Sequence, residues 1–245
     1  RWFGSATATA AAQPDVPRFT GGDAVLSRRI EQANIVFQLP APAATDPAYA
    51  AARLMTEILG GGMASRLFQS AREERGLAYA IDAYHEPYED AGILGIYAGA
   101  AAERAVELAQ VCAAELKALA ESGPTAAELS RAKAVMNAGL WMSDESPAAR
   151  AGRAAAQVLI FGAPIASGTM AQRMLAQTVA DVQAAAAASL AAGKAATAVL
   201  GPKVAAQPAA EQFINGSRHT GDGAEIVQRA NACDRNLKLA NPTFM

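Results

Sequence analysis

Histidine and cysteine are scarce in this 245-residue chain, with two of each. A catalytic zinc centre needs three protein ligands, and peptidase helices commonly supply two of them as histidines four residues apart. His85 and His219 are far apart, and neither has an HExxH or HxxEH neighbourhood, so no metal site is expected within this chain. Cys112 and Cys233 are too few for a disulfide framework or a cysteine-based zinc site. Cys112 lies in a helical apolar pattern and reads as a small buried hydrophobe. No apolar run reaches the roughly 18 residues that a bilayer-spanning helix needs. A net charge of −2 leaves no basic footprint for nucleic acid or an anionic membrane. The chain opens Arg1-Trp2-Phe3-Gly4, without methionine or a signal-peptide core, and is read as part of something longer.

What the chain does have is a core. Hydrophobic residues make up 52% and charged residues 18%, enough apolar surface to exclude global disorder. Alanine recurs in nearly every segment, which favours closely packed helices because it loses no side-chain entropy on entering one. Residues 1–19, small, polar and proline-bearing over 5–18, read as a linker leading in. Strand character over Ala33–Leu39 stops at Pro40. Ala51, Leu54, Met55, Ile58 and Leu59 keep helical spacing, and Gly60-Gly61-Gly62 is expected to end that helix through a left-handed residue. Ser65 is the expected N-cap of a short helix that Gly76 closes. Leu77–Tyr84 and Gly92–Ala98 read as a hairpin whose turn carries Pro87, Glu89 and Asp90. Helical pattern then runs for almost a hundred residues. It restarts at Gly123-Pro124-Thr125 with Glu128 completing a capping box, at Ser146-Pro147, and at Thr178. Ala195–Leu200 returns as a strand before Gly201-Pro202. The order predicts an α+β fold, a mostly antiparallel sheet covered on one side by helices, over residues 20–204. Residues 205–245 hold four of the six asparagines and His219, and read as a polar tail, either a peripheral wrap or an artefact of where the sequence ends.

Most motif-based chemistries fail on spacing. A phosphate-binding loop needs GxxxxGK[ST] after a strand, whereas Gly60-Gly61-Gly62 follows a helix and is followed by Arg66-Leu67. No GxSxG elbow marks a serine nucleophile. Ser143-Asp144-Glu145-Ser146 is explained by helix capping, and His85 reads as a surface or rim histidine beside the hairpin turn. The stretch SRLFQSAREERGLAYAIDAYH remains, with Arg72 and Tyr79 seven positions apart on either side of Gly76. A helix–strand corner there would bring a guanidinium and a phenol, both hydrogen-bond donors, toward one cleft. Together they could stabilise an oxyanion formed on a peptide carbonyl. Both residues also have purely structural accounts, since arginine suits a final helical turn and tyrosine suits a strand.

The stretch LGGGMASRLFQSAREERGLAYAIDAYHEPYEDAGILGIYAG resembles the metal-free C-terminal half domain of the M16 zinc metallopeptidases, the group of the mitochondrial processing peptidases and pitrilysin-like enzymes. DPAYAAARLMTEILGGG before it, ELSRAKAVMNAGLWMSDESPAARAGRAAAQVLIFGAPI after it and the closing TVADVQAAA…AVLGP extend the resemblance over roughly residues 20 to 202. It implies two homologous α+β halves that close like a clamshell around a chamber. One half carries zinc on an HxxEH motif. The other supplies an arginine–tyrosine pair, which falls here on Arg72 and Tyr79 as catalytic and substrate-binding residues. The resemblance therefore implies no cofactor on this chain, zinc on an HxxEH-bearing half (the same chain or a separate subunit), a peptide substrate and a homo- or heterodimer. Inactive scaffold subunits of the same fold are the alternative. A bacterial cytoplasm or periplasm, or a mitochondrial matrix, fits such a protein.

Overall fold

The computed structural model describes residue 15, residues 17–202, and residues 212, 213 and 215–217. Most of the segments read as linker and polar tail lie outside the described residues. In chain order the elements are β1 (Gly22–Ser27), β2 (Gln32–Ala41), α1 (Tyr49–Gly60), a π-helical turn (Phe68–Glu73), β3 (Ala78–Pro87), β4 (Gly92–Ala101), a 3-10 turn (Ala102–Arg104), α2 (Ala105–Ser122), α3 (Ala126–Asp144), α4 (Pro147–Phe161), α5 (Ser167–Leu175), α6 (Val179–Ala191) and β5 (Ala196–Gly201). The five strands form one sheet in the order β1-β5-β2-β4-β3. Every pairing is antiparallel except β1 with β5. The fold is therefore the α+β arrangement with a mostly antiparallel sheet that the element order predicts.

Strand periodicity decides which face is covered. Ile35, Phe37 and Leu39 of β2 and Leu94, Ile96 and Ala98 of β4 are fully or almost fully buried. Against them pack α1 through Leu54, Met55, Ile58 and Leu59, α2 through Leu108, Cys112 and Leu116, and α6 through Val182, Ala186 and Leu190. Burying each such large side chain contributes roughly 1.5–3 kcal/mol. Phe213, from the segment read as tail, joins this core with its ring stacked on Phe37, centroids 3.9 Å apart. The opposite face carries intervening polar and aromatic residues. Tyr97 donates to the Asn34 Oδ1 at 3.0 Å, and the Tyr84 ring lies over its cross-strand partner Gly95, where any Cβ would collide with it.

Three capping predictions are realised. Thr125 and Glu128 exchange the two hydrogen bonds of a capping box, Thr178 and Asp181 do the same, and Ser146 accepts from the Ala149 N–H with Pro147 at the first helical position. Other expectations are corrected. The glycine triplet uses no left-handed residue, and Gly61 has φ −76°. Gly60 is instead required by close approach, because a Cβ there would strike the backbone of Ala83 in β3. Ser65 caps nothing ahead of it, since its hydroxyl donates back to the Gly62 carbonyl at 2.5 Å. His85 is 6% exposed and belongs to the interior, and β1 was not anticipated as a strand.

The outer layer is thinner. Helix α3 buries only Leu129 and Ala132, and α4 only Gln157. No described helix is long and apolar enough to cross a membrane.

Candidate functional site at the helix–strand corner

Two departures from regular backbone bracket the corner between α1 and β3. The first is the π-helical turn itself. Glu74 N–H donates to the Gln69 carbonyl five residues back at 2.9 Å, the mark of a widened turn. The widening continues into the cap, where Gly76 N–H reaches the Arg72 carbonyl at 3.1 Å and Leu77 N–H the Ala71 carbonyl at 2.8 Å. Gly76 makes this closure with φ +59°, a left-handed conformation that glycine adopts without Cβ strain. Arg72 leaves the last turn exposed to solvent, its guanidinium 4.7 Å from the centre of the Phe68 ring.

The second departure is a β-bulge. From Ala80 to Pro87 the register against β4 is regular, but Ala78 pairs with Ala100 while Ala80 pairs with Gly99, leaving Tyr79 as the extra residue. Buried Ile81, Ala83 and His85 set the inward parity of β3, and strict alternation would send Tyr79 inward with them. The inserted residue breaks that parity, so Ala78 is buried and Tyr79 is 64% exposed. The neighbouring irregularities thus each present one of the two expected site residues to solvent. Neither side chain makes a hydrogen bond or ion pair with any described residue, so the guanidinium and phenol donors are available to a ligand.

The corner is tied down from behind. Arg66 donates to both carboxylate oxygens of Glu128, at 2.7 and 2.9 Å, and to the Gly123 carbonyl at 3.1 Å. That pairing is the main reason the Glu128 carboxyl is lowered to about 2, and it raises the Arg66 guanidinium. Arg131 adds a bond to the Ala64 carbonyl at 2.9 Å, and Gln69 one to the Met63 carbonyl at 2.6 Å. The loop after α1 is therefore clamped to the start of α3 immediately before the turn that carries Arg72. Sequence reasoning saw Glu128 only as a capping residue and Arg66 only as a nearby base. The bulge had one available signal, the conflict of parity between Tyr79 and Ile81, whereas the π turn had none.

These residues do not fit a zinc site. Among the described residues no group of three or more His, Cys, Asp or Glu side chains could hold a metal ion. His85 donates from Nε2 to the Pro42 carbonyl at 2.8 Å, and its Nδ1 is buried without a partner among the described residues. Burial lowers its pKa and holds it neutral. No step is therefore derived through a metal on this chain. His219 lies outside the described residues. Cys112 is wholly buried and its thiol is pushed up to about 12 by that burial, which removes it as a nucleophile.

Comparison with known proteins decides the family. The family profile described as the Peptidase M16 inactive domain matches residues 3–136. The chain belongs to this family. The chain is also similar to an uncharacterized zinc protease of Streptomyces coelicolor, 34% identical over 181 aligned residues, covering 71% of this chain and 39% of that protein. The uncharacterized zinc protease YmxG of Bacillus subtilis is 32% identical over 163 aligned residues, covering 66% of this chain and 40% of its own length. The chain thus spans about two fifths of the length of these curated relatives. A crystal structure of a peptidase M16 inactive domain from Pseudomonas fluorescens superposes with a TM-score of 0.70 at 25% identity, covering 81% of this chain and 48% of that one. A chain of complex III2 from Candida albicans gives a TM-score of 0.75 at 18% identity over 87% of this chain and 54% of its own, a likeness of fold alone.

Proposed function

We propose that this M16 inactive domain is the substrate-binding half of a zinc endopeptidase, with the metal and the general base on an HxxEH-bearing half fused to it or carried by a partner. Arg72 and Tyr79 would touch the scissile peptide directly. The guanidinium and the phenol O–H donate to its carbonyl oxygen, hold it in place, and stabilise the negative charge that grows there as water attacks. The observation that carries this reading is the pairing of irregularities. A π turn and a β-bulge, both features that recur beside functional sites, leave these two donors without a hydrogen-bond partner among the described residues at one corner. Strand β3 is also an edge of the described sheet, which suits an extended peptide that pairs by backbone hydrogen bonds. Covering by a second body is supported by the outer helices, where Trp141, Met142 and Leu159 are exposed.

The test uses the complete enzyme. Arg72→Ala and Tyr79→Phe should each lower kcat/KM for peptide hydrolysis by roughly 10²-fold or more, the loss typical of one oxyanion donor. Zinc content and thermal midpoint should stay at the parent values. Unchanged hydrolysis in both variants would remove the role given to the pair. The second reading is an inactive scaffold subunit of the same fold. Zinc content of the intact native species separates the two, since about one zinc per copy of this chain supports the peptidase and none supports the scaffold.

A further inference from the structure

A cavity of about 590 Å³ lies where α1 faces α3, α4 and α5, and no residue of the Arg72–Tyr79 corner lines it. Its size falls within the roughly 300–1,000 Å³ of small-molecule sites. Met136, Leu140, Ile160, Phe161 and Met174 supply its apolar walls. Three arginines and a single carboxylate, Glu57, also line it. One arginine is already committed, as Arg153 pairs with Asp144 and donates to Ser143 and Ser167. Arg53 and Arg173 have no ion pair or side-chain hydrogen bond with any described residue. Burial raises the Glu57 carboxyl and the nearby Arg53 charge lowers it, so Arg53 is answered in part; with Arg153 held by Asp144, Arg53 and Arg173 still outnumber the one lining carboxylate, whose oxygens fold back over Gly61.

Two further observations point to an occupant. Gln157, buried to 7% exposure in the cavity wall, accepts from the Ile165 N–H at 2.8 Å, but among the described residues its amide nitrogen has only the Met170 thioether, at 3.0 Å, as acceptor. A thioether is a weak acceptor, so a buried donor in the wall is under-used. Gly139 also lines the space, midway along the otherwise alanine-rich α3, and nothing lies within 4 Å of where its Cβ would be. Glycine is among the poorest helix formers and brings no backbone advantage here, so its effect is to leave the cavity open.

We propose that this cavity binds a small apolar carboxylate, the chain lying among the methionine, leucine, isoleucine and phenylalanine side chains and the carboxylate answered by Arg53 and Arg173. The site is separate from the peptide corner and does not rest on the reading given to it. Such a carboxylate has two natural sources, a free acyl-chain acid and the carboxyl end of an apolar peptide. Both are probed on the 245-residue chain by calorimetric titration, with decanoate and with N-acetyl-leucyl-leucine. The expected result is saturable one-to-one binding of at least one probe, with decyltrimethylammonium binding at least tenfold more weakly. The stronger probe names the source. Arg173→Glu should weaken binding at least tenfold. Gly139→Leu, whose Cβ has open space and whose side chain takes up cavity volume while improving the helix, should abolish binding while keeping or raising the thermal midpoint. The proposal is overturned if neither probe saturates, if the cationic amphiphile binds equally well, or if well-folded Gly139→Leu binds like the parent.

Discussion

Arg66 grips the Glu128 carboxylate with two parallel hydrogen bonds, and through it the loop beneath the Arg72 turn is held to the first turn of α3. The carboxyl sits at about 2 in the fold against an ordinary 4.5. A depressed carboxyl contributes stability above its unfolded pKa and loses it as pH falls through the folded one, so this contribution should fade between about pH 4.5 and 2. Discounted for solvent screening at a partly exposed pair, Glu128→Gln should cost about 1–2 kcal/mol at neutral pH. Urea denaturation of parent and variant at pH 7 and pH 2.5 checks this, and the difference between them should shrink at the lower pH.

His85 should set a second, milder acid limit. Its Nε2 donates to the Pro42 carbonyl, its Nδ1 has no partner among the described residues, and its ring lies against Tyr49 with centroids 5.7 Å apart. Burial depresses its pKa below 6.5, helped by the nearby Arg53 charge and opposed by the Pro42 bond. Stability from the neutral imidazole is therefore fully present above pH 6.5 and is lost as pH falls below it through the folded value. His85→Leu should flatten the stability profile in that window, as read by thermal midpoints from pH 7.5 to 5. A slope equal to the parent's would assign the titration elsewhere.

The stack of Phe213 on Phe37 makes a prediction about the segment beyond β5. Phe213 is fully buried, so Phe213→Ala should destabilise the domain by about 3–5 kcal/mol, the usual cost of an emptied aromatic site. Chemical denaturation measures it. A loss under 1 kcal/mol would mean that the sheet and the inner helices carry the core without this ring.

Gly60 and Gly76 separate two reasons for glycine. At Gly76 a Cβ has open space, so Gly76→Ala meets only the cost of a left-handed alanine, about 1–2 kcal/mol. Gly76→Asn should recover part of that, because asparagine visits this conformation more readily. At Gly60 the conformation is ordinary and the obstacle is the Ala83 backbone, so alanine and asparagine should both be more damaging than at Gly76. Thermal melts of the four variants give the comparison, and equal rescue by asparagine at both sites would contradict it.

Much of the fold was legible because the signals were local. Thr125 with Glu128, Ser146 with Pro147 and the alternation of Ile35, Phe37 and Leu39 each announce an element within a few residues. Strand β1 gave no such signal, since all six of its residues are exposed and its partner is distant in sequence. His85 was misjudged because proximity to a turn says nothing about the α1 side of the strand, where Tyr49 covers it. At the corner, residue types and spacing singled out Arg72 and Tyr79, but not how the backbone displays them. A π turn depends on which carbonyl each N–H chooses, and a bulge on the partner strand's register, neither of which is written in one stretch of sequence.

The pairing of β1 with β5 has a consequence for synthesis. Asp23 of β1 meets the Thr197 hydroxyl of β5 across 174 positions, and β5 also lies between β1 and β2. Until residues 196–201 have left the ribosome, β2 has one edge without its strand and β1 has no place in the sheet. Contacts this distant in sequence form late and slow folding. The first strand of this domain therefore waits for the last, and the nascent chain carries an open sheet edge through most of its translation.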